Sequence, residues 1–384
     1  MNNKNLHILQ VVGTMNRGGA EVMLMDIYRN ISPHIHFDFL INYKAKTGVI
    51  KGDFDDEIIL KGGSVNHIQT QWDLGPVQYI NEFKSICQKV GVPDVVHIHL
   101  NSRSGIIAFA ARQAGVKKII VHSHADLKFR GSFLTILANK AELFIQKHFI
   151  EKYATDFWGA SIEANKSLFK NSVINKSIVI NNAIDIDNFI NFDKTSTSIF
   201  RDGLNIKTNT LLLGNIGRIV RHKNVLFVIK VLDELNKHNI DFMFIFAGRA
   251  DDETYMQEIN DKIDACNLSE KVIYLGLRSD IPLIMSSLDV FIGPALKEGF
   301  GLVAIEAQAA GVPCALYNGF PRSVDMKLGL VSFLSSFDCE EWITTILSIK
   351  DNKNRDKGAI TLAIKNRGFD VKTNTKLIED FYAK

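Results

Sequence analysis

Glu298 and Glu306 stand with seven residues between them in the segment EGFGLVAIEAQAAG, residues 298–311. A carboxylate accepts two hydroxyl hydrogen bonds at once, so such a pair suits a polyhydroxylated ligand. Gly299, Phe300 and Gly301 form a glycine-bracketed turn that lets the backbone approach a ligand closely. The Ala-rich run after it reads as a helix ending at Gly311, with Pro313 beyond as a stop signal. The first N–H groups of such a helix favour an anion. The plain alternative is a helix with one surface Glu and one Glu favoured by the dipole.

A second constellation tips the balance. Gly217-Arg218 ends the apolar run Leu211–Ile216, and Lys223-Asn224 opens the next helix. Two permanent cations at the carboxyl end of a strand are costly without an anion partner. A diphosphate is such a partner, because departure of a nucleotide develops negative charge that preorganised donors must stabilise. Arg221 and His222 between them read equally as a solvated basic turn.

The first half offers less. Asn16-Arg17-Gly18-Gly19-Ala20-Glu21 follows the first strand and opens a helix, without the G-x-G-x-x-G of a dinucleotide site. A Gly18-Gly19 turn at a helix start is an anion cradle, or simply a tight strand-to-helix turn. His122-Ser123-His124 ends the strand Lys118–Ser123, where an imidazole can hydrogen-bond or move a proton. His97 reads as structural, and His99, on the same strand, as facing the ligand side.

The elements that must position these residues follow one pattern. Short apolar runs alternate with longer amphipathic ones, which is the signature of parallel sheets flanked by helices. Strands are predicted at 6–12, 36–42, 95–99, 118–123, 156–160 and 177–180, and again at 210–216, 241–248, 271–276, 289–293, 313–317 and 328–333. The polar cluster Asn191–Ser198 reads as a linker between a domain of residues 1–190 and another of 199–384. The last helix, 374–382, is free to lie on either. Open α/β sheets bind ligands at the carboxyl ends of their strands.

With 384 residues, 46% of them hydrophobic, the chain can bury two cores unaided. A net charge of +3 and no Lys/Arg run interleaved with aromatics argue against nucleic acid. Cys87, Cys266, Cys314 and Cys339 are scattered, giving neither a disulfide framework nor a zinc motif. No signal-peptide core and no long apolar span is evident, so the expected location is cytoplasmic. One stretch, Leu127–Lys152, mixes Phe129, Phe133, Leu134, Leu137, Phe144 and Phe149 with Lys128, Arg130, Lys140, Lys147 and Lys152. It reads as a helix packed on the sheet, or as a basic amphipathic helix resting on the inner face of an anionic membrane.

Taken in order, Gly217-Arg218 with Lys223-Asn224, the Glu298/Glu306 pair and the trailing EAQAAGVP resemble the family 4 retaining glycosyltransferases of the GT-B fold. The resemblance is greatest to bacterial members of capsule and exopolysaccharide assembly. It implies two Rossmann-like parallel-sheet domains facing a central cleft, and transfer of a sugar from a nucleotide-diphosphate donor, UDP favoured, with no metal and no cofactor. The acceptor implied is a saccharide or lipid-linked saccharide. Arg218 and Lys223 would then hold the diphosphate, Glu306 the ribose and Glu298 a sugar hydroxyl. Backbone at Gly299, Phe300 and Gly301 would meet sugar and phosphate. Leu277 and Arg278 would border the base, Gly248 would line the same pocket, and Gly18 and Gly19 would approach the donor phosphate. His124 would stand near the reacting sugar. The chain has Asn182-Ala183-Ile184-Asp185 where the family usually has N-G-(I/V)-D. Three rivals stay open at this point: a metal-dependent transferase using Asp185-Ile186-Asp187 as D-x-D, a nucleotide-sugar epimerase or phosphorylase, and a clamshell sugar-binding protein.

Overall fold

The computed structural model describes residues 5–16, 18–127, 129, 131–354 and 356–384. They form two compact units, one of residues 1–183 with 371–384 and one of residues 184–370. The first unit holds seven strands: β1 (Leu6–Val12), β2 (Ile35–Tyr43), β3 (Val65–Gln69), β4 (Val95–Ile98), β5 (Lys118–Ser123), β6 (Asp156–Gly159) and β7 (Ile178–Val179). All pairs are parallel, in the order β3-β2-β1-β4-β5-β6-β7. The second holds β8 (Leu211–Ile216), β9 (Phe242–Ala247), β10 (Val272–Tyr274), β11 (Val290–Gly293), β12 (Cys314–Tyr317) and β13 (Val331–Leu334). These are parallel too, in the order β10-β9-β8-β11-β12-β13.

Both sheets are covered on two faces, which is why their strands are near-continuous apolar runs. In the first unit Ile8, Val12, Phe37 and Phe39 pack to one side, Leu9, Val11, Val96 and Ile98 to the other. In each sheet the strand order reverses once, between β1 and β4 and between β8 and β11. Such switch points are where open α/β sheets take ligands, and the loops after β1, β8 and β11 carry the sequence motifs.

Three boundaries differ from expectation. β3 was not predicted, because only Ile68 of this edge strand is buried and its composition is half polar. Residues 191–198 are not a linker. Asp193 caps a helix, Lys194–Gly203, by accepting from the Ser196 amide at 2.7 Å. Its polar residues are the solvent face, while Phe200 packs on the second core and Arg201 bonds the Ser287 carbonyl at 3.0 Å. The division falls instead between Ala183 and Ile184. The final helix, Val371–Ala383, belongs to the first unit, where it buries Ile378 and Tyr382. Tyr382 meets Phe37 edge-on at 6.0 Å.

Candidate active site

In the second unit the ends of β8, β9 and β10 are stitched together by glycine turns. The Gly217 amide donates to Ala247 O and the Gly248 amide to Gly276 O, each at 2.9 Å. Gly217 has φ 145° and Gly248 φ 141°, and a Cβ on Gly248 would overlap the Gly217 carbonyl. Only glycine allows this approach. The result is a shelf of bare backbone at the carboxyl ends of three strands.

Lys223 reaches over that shelf: its Nζ lies 3.8 Å from where a Gly217 Cβ would stand. It ends a short 3-10 turn, and Asn224 after it takes the left-handed conformation, φ 59°. The Leu296 amide bonds the His222 carbonyl at 2.8 Å, tying the loop after β8 to the loop after β11. The Glu298 amide is fixed on Gly319 O at 2.9 Å. These anchors bring Lys223 and Glu298 into an ion pair, with side chains only 17% and 14% exposed. The imidazole of His222 lies in the field of this pair and of Arg218. Burial lowers its pKa, Lys223 and Arg218 lower it further, and Glu298 opposes them.

Arg218, one residue past the shelf, is half-exposed and bonds Asp251 at 3.3 Å, and Arg249 shares that carboxylate at 2.6 Å. Arg278 is paired with its neighbour Asp280 at 2.5 Å, while Leu277 stands 54% exposed beside it. Gly299 is in open space. Gly301, φ 82°, precedes the helix Leu302–Ala309 and has no side chain to cap it; a Cβ there would press on Phe320 at 2.7 Å. Phe300 is set edge-on to Phe369 at 5.3 Å, and Glu306 lies half-buried in the second turn of the helix. Thus Gly217, Lys223, Gly248 and Glu298 share one surface, and Arg218 borders it. The Asp185 carboxylate caps the helix Ile186–Ile190 by accepting from the Asp187 amide at 3.2 Å.

In the first unit Gly18 and Gly19 open the helix Gly19–Asn30 as expected. Arg17 lies outside the described residues. The Glu21 carboxyl group folds back over Gly18 and takes a bond from its own amide, so the helix start is occupied by an internal side chain. Burial raises the Glu21 pKa against that bond. A small cavity of about 20 Å³ joins this turn to β4, lined by Gly13, Ala20, Glu21 and His99.

The histidines form a tight group on one face of β4 and β5. His97, His99 and His122 are buried, and His124, partly exposed, has its Nδ1 closed off. His99 is therefore an interior residue, with Nδ1 2.8 Å from His124 Nε2 and Nε2 2.9 Å from Gln10 Oε1. His97 Nδ1 is 2.7 Å from the Tyr382 hydroxyl. Burial drives the pKa of His97, His99 and His122 well below the ordinary value, helped by their neighbours. Burial brings His124 down to about 4. All four rings are neutral at pH 7. The His124 amide is pinned by Asn101 Oδ1 at 2.7 Å.

His97, His99 and His122 are close enough to share a metal ion. His99, however, already uses both nitrogens, so a cation would have to break one of its bonds. Gln10 and Tyr382 escaped the sequence reading. A glutamine amid the strand LHILQVV is a signal in itself, since a buried amide must find partners. Tyr382 gave none, because its partners lie far away in sequence.

Residues 196–333 match the family described as "Glycosyl transferases group 1". The chain is 29% identical over 385 residues to a putative glycosyltransferase, EpsF, of Bacillus subtilis (strain 168), covering 100% of this chain and 97% of that one. It is 28% identical over 311 residues, 75% of each chain, to an Escherichia coli UDP-Gal:alpha-D-GlcNAc-diphosphoundecaprenol alpha-1,3-galactosyltransferase. The structure of Anabaena HepE in complex with UDP superposes with a TM-score of 0.77 at 19% identity, covering 98% of this chain and 100% of that one. Residues 196–333 thus carry a group 1 glycosyl transferase domain, and the chain is a glycosyltransferase with the GT-B fold.

Proposed function

We propose that this glycosyltransferase moves a sugar from UDP to a saccharide carried on a lipid, with retention of anomeric configuration and without a metal, in assembly of a bacterial surface polysaccharide. The observation that carries the donor half is Lys223 poised over the Gly217–Gly248 shelf. A diphosphate laid on that shelf would meet backbone, the Lys223 ammonium and, at its border, the Arg218 guanidinium. Such positive charge stabilises the departing nucleotide. Glu298 and Glu306 would hold sugar and ribose hydroxyls, with Gly299, Phe300 and Gly301 against sugar and phosphate. Leu277 and Arg278 would border the base, and His124 would face the reacting sugar.

UDP as the nucleotide is supported by HepE, solved with UDP and with UDP-glucose, and by the Escherichia coli relative, which uses UDP-Gal. A lipid-linked acceptor is supported by that same relative's diphosphoundecaprenol substrate. The helix Phe133–Tyr153 supports work at a membrane surface. Phe133, Leu134, Leu137, Phe144 and Ile145, at helical spacing, are all more than half exposed, and Trp72 lies beside them near Glu142. Phe149 packs inward on Phe109 instead. Lys140 stands on the exposed face; Lys128 and Arg130 lie outside the described residues. No helix among the described residues is long and apolar enough to cross a membrane.

Thermal stabilisation by UDP, GDP and ADP tests the donor. UDP should raise Tm and the others should not. Transfer from UDP-sugars should then persist in EDTA and give a product with the donor's anomeric configuration. Loss of turnover in EDTA with return on adding manganese would overturn the metal-free reading. Conversion of UDP-sugar without acceptor would make the chain an epimerase.

A further inference from the structure

Five side chains in the first unit are joined end to end by hydrogen bonds. His124 Nε2 meets His99 Nδ1 at 2.8 Å, His99 Nε2 meets Gln10 Oε1 at 2.9 Å, Gln10 Nε2 meets the Tyr382 hydroxyl at 3.2 Å, and that hydroxyl meets His97 Nδ1 at 2.7 Å. Gln10, His97 and His99 are at most 8% exposed, and Tyr382 is 3% exposed. The free ends of the chain, His124 Nδ1 and His97 Nε2, are buried and have no partner among the described residues.

Neutral imidazole donates from one nitrogen and accepts at the other, and an amide donates only from nitrogen. Fixing one link therefore fixes every other. The Gln10 amide presents oxygen to His99 and nitrogen to Tyr382. His99 must then carry its proton on Nε2 and accept at Nδ1. His124 must donate from Nε2, which leaves a lone pair on Nδ1. At the other end Tyr382, accepting from the amide, must donate to His97. Turning the amide over gives the only other complete pattern, with the same number of protons and each ring in its opposite tautomer. His124 would then carry its proton on Nδ1.

We infer that Gln10 and Tyr382 are positioning residues that hold His124, through His99, as the tautomer protonated on Nε2. Its Nδ1 thereby offers a lone pair. The inference rests on the proposed place of His124 beside the reacting sugar only for its consequence in turnover. The linkage itself stands on the bonds above. A helix at the far end of the chain thus sets the chemistry of a ring at the end of β5.

The test uses the full-length protein labelled with 15N-histidine, with the His124 ring signals assigned by their loss in His124→Gln. Tyr382→Phe keeps the ring packed on Phe37 and removes only the hydroxyl. Gln10→Met breaks the chain at its centre with little change of shape. In the parent His124 should show one tautomer, protonated on Nε2. Either variant should move it toward a mixture, lowering kcat about tenfold, the scale of one buried hydrogen bond, while KM for the donor changes less than about twofold. An unchanged His124 ring pattern in both variants would overturn the inference, even if turnover fell. A shifted pattern with turnover preserved there and in His124→Gln would uphold the linkage and remove His124 from the reaction.

Discussion

Lys223 and Glu298, 75 positions apart, form an ion pair across two loops. A diphosphate must therefore compete with Glu298 for the ammonium. Once it wins, the carboxylate is released to accept sugar hydroxyls. The pair gives opposite expectations for its two members. Lys223→Ala should cut turnover by about 10²–10³, the worth of one preorganised donor at a developing charge. Glu298→Gln should bind UDP alone more tightly, by about fivefold or on the order of 1 kcal/mol, while turning over UDP-sugar more slowly. Calorimetric titration with UDP decides this, and weaker binding by the Gln variant would remove the competition.

Two glycines of the same site should behave differently when given a methyl group. Gly248→Ala forces a Cβ into the Gly217 carbonyl at φ 141° and should cost about 3 kcal/mol of stability. Gly299 faces open space, so Gly299→Ala should leave stability within about 0.5 kcal/mol. Its loss should appear only in donor binding. Urea unfolding of both variants, beside UDP titration, separates fold from site.

The histidine group should make the protein acid-labile. Its rings stay neutral when folded, whereas in the unfolded chain they take up protons near pH 6.5. The unfolded state thus binds more protons, so stability is full above pH 6.5 and falls as pH drops toward about 4, where His124 itself titrates. Each ring should contribute ~2 kcal/mol of loss between pH 6.5 and 5. Chemical denaturation across this window should show a slope that shrinks by one proton in His124→Gln. A flat profile would mean the rings are charged in the fold.

His122 is fully buried, and neither ring nitrogen is bonded to any of the described residues. An unpaired buried polar group is destabilising, so His122→Phe should gain about 1 kcal/mol at pH 7 and more at pH 5. Loss of stability at both pH values would point to a partner for this ring.

Phe133→Ser with Phe144→Ser should abolish sedimentation with vesicles of anionic phospholipid and leave Tm unchanged, since both side chains are over 70% exposed. Equal binding of parent and variant would free this face from membrane contact.

Much of the architecture was legible because each sheet is buried on both sides. Strands such as LLLGNI and FMFIFA announce themselves by composition alone. The placement of the second unit's motifs was legible because they lie on loops directly after those strands, where topology leaves them no other place. What stayed hidden depended on distance in sequence. The Lys194–Gly203 helix looks like a linker because one face is polar, and only Phe200 and Arg201 betray the surface it packs on. Tyr382 gains its meaning from Gln10 and His97, hundreds of positions upstream. No local pattern reports such a contact.

The helix Val371–Ala383 is made after the whole second unit, yet Ile378 and Tyr382 complete an interior whose other walls were made before it. During synthesis the opening sheet must wait, with Phe37 and Trp158 lacking their cover, until the entire second unit has been produced. A chain cut short before residue 371 would retain every donor-side motif and still leave the earlier unit unfinished. Completion of the first core is thereby tied to a helix that the second unit separates from it in sequence.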